Sequence, residues 1–253
     1  MSGALQAVFQ NQRSFGAPPG QQVYTTSGTF SWVAPAGVTS VSVLTVGSLR
    51  NTGGSGNGAG ALSYKNNYTV IPGNSYTVVV GQRCGFGAVV RSSFVNNCTV
   101  SAGITCARTG DGGGNGGGSG AGGYSGTGGI LIANSAGTNG SGGAGGGGGY
   151  FVFACSAPQR AGGGGGVGLL GAGSSGAGGC ASGGGGGGGS GGANGTAASP
   201  GTGGNGGDYG GRGGWDFSAC FTCLNYGTAG RGAVRIIWPG SSRSFPSTCT
   251  GDL

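Results

Sequence analysis

Groups able to do acid–base or metal chemistry are scarce in this chain. Its only carboxylates are four aspartates, Asp111, Asp208, Asp216 and Asp252, and it contains neither glutamate nor histidine. Two carboxylates can share acid–base work, as in glycosidases, and Asp208 and Asp216 are the nearest pair in sequence. Both lie among glycines, where a solvated loop carboxylate is the plainer reading. Catalysis is not expected. Cys220-Phe221-Thr222-Cys223 has the form used by zinc and redox sites, but with no histidine and no second such pair it predicts neither a metal nor a cofactor. Cys98 and Cys106 flank a short loop and form the candidate disulfide. Binding chemistry is better represented. Tyr124, Tyr150, Tyr209 and Trp215 punctuate glycine tracts, and Arg212 lies between the last two. Aromatic rings on such loops stack on sugars or fill partner pockets, so these five are the candidate receptor-binding residues. The alternative is that the rings plug the ends of a glycine packing.

The elements that must hold those residues are unusual. Of the 253 residues, 73 are glycine, concentrated between Gly112 and Gly232. Gly114, Gly117, Gly120, Gly123, Gly126 and Gly129 hold every third position, and the phase recurs at Gly183, Gly186, Gly189, Gly192 and Gly195. Three residues per turn is the period of an extended left-handed helix rising about 3.1 Å per residue. A flexible linker would be one Gly/Ser tract between two domains. Here several tracts are broken by Ile130-Leu131-Ile132, Leu169-Leu170 and the aromatics, which suits reversals or anchors in a folded lobe. Polyglycine II helices lie so close that a Cβ at the contact would clash, and their backbone groups can bond one another. Collagen is excluded, because the tracts lack its regular prolines.

Strand signals lie on either side of the tracts. Phe30 and Trp32 alternate before the Ala34-Pro35-Ala36-Gly37 turn, residues 40–46 are rich in valine, and 62–71 and 75–81 flank Pro72-Gly73-Asn74. Residues 151–153 and 233–238 complete the set, and no amphipathic helix is found. The fold class expected is all-β plus polyglycine II: a small antiparallel β-sandwich base from N- and C-terminal strands, carrying a bundle of polyproline-II-like helices. Its parts are an N-terminal arm (1–22), a β-strand base (23–108), the glycine-rich lobe (109–230), and a closing strand with tail (231–253). The net charge of +7 is spread singly, which predicts no nucleic-acid partner. Neither a signal peptide nor a membrane span is read from the sequence.

Three segments resemble a known family. These are residues 24–44 (YTTSGTFSWVAPAGVTSVSVL), 60–81 (GALSYKNNYTVIPGNSYTVVVG) and 232–248 (GAVRIIWPGSSRSFPST). In sequence and order they resemble glycine-rich structural proteins of tailed phages of marine and cyanobacterial type. The middle is similar in composition to the polyglycine sandwich of adhesins at phage tail-fibre tips. Two stretches depart from the pattern: Gly47-Ser-Leu-Arg-Asn-Thr after the first strand pair, and the cysteine-bearing 83–108. The resemblance implies a virion surface component, either receptor-binding or decorative; the role expected here is a tail-fibre or spike adhesin, assembled in the host cytoplasm. The alternatives are a capsid- or tail-decorating subunit, or an extracellular fibre-forming glycine-rich protein. Expected partners are other virion proteins through the arm and strands, further copies of the chain, and a host surface polysaccharide or outer-membrane protein.

Overall fold

A computed structural model describes residues 17–48, 58–82, 91–95, 98–100, 108–152, 159–217, 224–247 and 250. Among them the protein is all-β, with antiparallel sheets and no α-helix. The central sheet has the order β1 (Gly20–Tyr24), β14 (Ala233–Trp238), β3 (Ser40–Val46), β4 (Leu62–Thr69), β9 (Gly112–Gly114). The closing strand thus pairs with both N-terminal strands, Val23 and Leu44 standing opposite Arg235 on either side. The last residues of the expected arm belong to β1, and residues 1–16 lie outside the described residues.

The valine-rich β3 and β14 are buried along nearly their whole length, because the central sheet is covered on both faces. Period-two alternation assigns each side chain to a face. Val41, Val43, Val234 and Ile236 pack with Trp32, Val78 and Phe94. Those three come from a second sheet of order β2 (Gly28–Val33), β5 (Ser75–Val80), β6 (Ser92–Phe94), β7 (Cys98–Val100), β8 (Arg108–Thr109). On the opposite face Leu44, Val46, Leu62 and Ile237 pack with Ala121, Tyr124, Val167 and Leu169 of the glycine region.

The glycine region is held by its own backbone. In the buried tract 144–149, Gly145 donates its N–H to Ala121, and three residues on Gly148 donates to Ser119 Oγ. Gly146 and Gly149 donate to Gly187 and Gly184, while Gly147 donates to Thr138. The next buried tract repeats the pattern. Gly162 and Gly165 donate to Gly149 and Gly146, Gly163 and Gly166 to Thr196 and Ala193, and Gly164 and Val167 to Arg212 and Tyr209. In a sheet, backbone groups alternate between two neighbours. Here direction repeats every third residue, so each tract serves several neighbours around its axis.

Burial follows the sequence accordingly. The pure glycine runs 145–149 and 162–166 are buried, whereas 193–199, where Ala, Asn, Thr and Ser intervene, is mostly exposed. A Cβ on Gly165 would fall on the carbonyl of Gly187, and one on Gly146 on the carbonyl of Ala177. Glycine at these positions is a steric requirement of backbone on backbone.

Candidate functional site

Inserted among the tracts is a third sheet, with the order β10 (Tyr150–Val152), β11 (Gln159–Ala161), β12 (Trp215–Phe217), β13 (Leu224–Tyr226). Its strands are continuations of glycine tracts: 145–149 runs into Tyr150, and Gly213-Gly214 into Trp215. Tyr150 pairs with Ala161, and Trp215 with Tyr226. The small side chain of Ala161 leaves space between the flanking strands, and the rings of Tyr150 and Trp215 meet with centroids 5.3 Å apart. The Arg212 guanidinium lies over Trp215, 5.1 Å from the ring centroid, within cation–π range.

This group is anchored from beneath. Arg212 donates Nη1 to Gly118 O at 3.1 Å, while its Nε is buried without a hydrogen-bond partner. Burial lowers the Arg212 pKa from its ordinary value, with Tyr226 opposing the shift. Tyr150 donates its hydroxyl to Gln159 Oε1 at 2.8 Å, and burial raises its phenol pKa. Tyr150, Arg212, Trp215 and Tyr226 are all partly exposed. The loop beside them, tied to Tyr150 N by Ser135 O, also carries the exposed Ile130 and Ile132. Two touching rings under a cation can stack on the C–H face of a sugar or fill an apolar partner pocket.

Of the five candidate residues, Tyr150, Arg212 and Trp215 come together. Tyr124 does not join them, and its expected receptor contact is corrected. It is 1% exposed, donates its hydroxyl to Gly168 O, accepts from Gly171 N, and stacks on Phe245. Its ring locks lobe to base and cannot reach a receptor. Tyr209 lies apart from the group, on the wall of a separate cleft. Tyr226 and Gln159 were missed, because three-residue strands among glycines carry no long alternation. The available signal is Trp215-Asp-Phe217 and Leu224-Asn-Tyr226, two short alternating runs on either side of a cysteine-bearing stretch of sequence.

The aspartates serve as structural partners. Asp216, 2% exposed, accepts from Arg160 Nε at 3.2 Å and from Gly201 N at 2.7 Å. Asp208 pairs with Arg231 at 3.2 Å, and Asp111 with Lys65 at 2.6 Å. The described carboxylates are therefore each held by a cation of their own. Asp252, the Cys98–Cys106 pairing and Cys220–Cys223 lie outside the described residues. No protein-family model and no curated protein matches the chain.

Proposed function

We propose that the protein is a non-enzymatic surface component of a tailed-phage virion that contacts the host surface through Tyr150, Trp215 and Arg212. In this reading the glycine region is a polyglycine II bundle, and the two N- and C-terminal sheets are a β-sandwich base that supports it. The observation that carries the proposal is the three-residue repeat of hydrogen-bond direction in tracts 144–149 and 162–167. Such a repeat suits a bundle of extended helices, stiff enough to present the rings that continue from it. The aspartates' engagement with arginine and lysine also favours binding over reaction.

A decorating role on capsid or tail is the second reading. It draws on β1, an edge strand among the described residues, since edge strands are where a partner strand can add. Two measurements separate them. Excess purified protein should block adsorption of the phage to its host, and Trp215→Ala should abolish that competition. Immunogold electron microscopy should place the protein at fibre or spike tips. Labelling across the capsid lattice, with no competition, would overturn the adhesin reading in favour of decoration.

A further inference from the structure

A cleft of about 540 Å³ opens where β1 meets the glycine region, and none of Tyr150, Arg212 and Trp215 lines it. Its volume is in the range of ligand pockets, about 300–1,000 Å³. One wall is apolar: Val23 and Leu170, 40% and 45% exposed, with Leu169 between them. The other wall is Asp208 and Tyr209. The Asp208 side chain remains 42% exposed beside Arg231. At the back lies Arg235, fully buried, with Nη1 on Leu169 O and Nε on Gln21 Oε1. Its guanidinium is thus engaged by neutral protein acceptors.

Tyr209 is held at φ 61°, a backbone state that costs a bulky residue strain and is enriched at functional sites. Its carbonyl accepts from Val167 N at 3.1 Å, so the tract packing fixes it there. The cleft therefore combines an aromatic and aliphatic lining with a carboxylate and backbone polar groups. A pyranose has that same division, an apolar C–H face and a rim of hydroxyls. An acidic sugar would bring its own carboxylate against Asp208.

We propose that this cleft binds a neutral saccharide, with Tyr209, Val23 and Leu170 against the ring face and Asp208 accepting from hydroxyls. The proposal adds a second ligand-binding site to the host-surface reading and rests on that reading only for the source of the sugar. Its test is titration calorimetry of the full chain with glucose, galactose, rhamnose and N-acetylglucosamine, and with glucuronate. Saturable binding of at least one neutral sugar is expected, with glucuronate weaker by about tenfold or more. Tyr209→Gly, which suits the left-handed backbone, and Asp208→Asn should each weaken binding by about tenfold. Trp215→Ala should leave it unchanged. Failure of every neutral sugar to bind, or equal binding by Tyr209→Gly, would overturn the site. Adsorption competition is scored separately, so loss of one result leaves the other readable.

Discussion

Arg235 donates Nη1 to the carbonyl of Leu169 at 2.8 Å, joining the middle of the central sheet to the glycine region. The donor is 0% exposed, and Gln21 takes its Nε and Nη2 hydrogens. Replacement by methionine keeps the stem but removes this donor from a buried carbonyl and a half-buried amide oxygen. A loss of about 2–4 kcal/mol is expected for Arg235→Met, measured by chemical denaturation. Wild-type stability would mean that these Arg235 bonds contribute nothing to the joint between the central sheet and the glycine region.

Side-chain size at the tracts supplies a steric test. A Cβ on Gly186 would meet Gly146 O and the Gly147 backbone, and one on Gly165 would meet Gly187 O. Gly186→Val and Gly165→Ala are expected to cost about 3 kcal/mol or more, since backbone cannot yield as a side chain does. The exposed Ser174→Ala should stay within about 0.5 kcal/mol. Equal melting temperatures for all three would contradict backbone-on-backbone contact.

Tyr124 links pH to stability. Burial raises its phenol pKa well above the ordinary value of 10.0, against opposing effects of Gly171 N–H and Arg235. A group whose pKa is raised on folding stabilises the fold fully below its unfolded value, and that contribution is lost as pH rises through the folded value. Stability of the wild type should therefore fall above about pH 10. Tyr124→Phe should cost about 1–3 kcal/mol at neutral pH, because Gly168 O and Gly171 N lose their partner. Its alkaline decline should be shallower, as read by denaturation at pH 7 to 11. Parallel pH profiles would contradict the assignment.

The base was largely legible in the sequence. Alternation placed Phe30 and Trp32 on one side, and both belong to the cluster between the first two sheets. The expected pairing of the C-terminal strand with the early strands is found in β14 beside β1 and β3. Tyr124 was harder to place. A ring in a glycine tract can cap, anchor or recognise, and only the packing against Tyr64 and Phe245 decides among these. The third sheet was legible only in part. The sequence predicts a strand at 151–153, but its partners are three residues long, and Ala161 gives no hint that it separates two rings. Tract purity is a further signal: where neighbours surround a tract with backbone, as at 145–149 and 162–166, every residue is Gly.

Cys180 is an exposed free thiol, and its hydrogen bond with Ser182 lowers its pKa below the ordinary thiol value. More thiolate at neutral pH means faster alkylation. Iodoacetamide labelling of Cys180, followed by peptide mass spectrometry, should slow in Ser182→Ala at pH 7 and converge with wild type at high pH. Identical rates at pH 7 would contradict the Ser182 effect.

Amide hydrogen exchange tests the central claim most directly, because the lobe is held by backbone bonds. Gly145 to Gly149 and Gly162 to Gly168 donate to neighbouring tracts, and these tracts are buried. Exchange resolved by residue should show them protected to the level of β3 and β14, opening only with global unfolding. Exchange at the rate of an unstructured glycine peptide, while β3 and β14 stay protected, would contradict a folded glycine lobe.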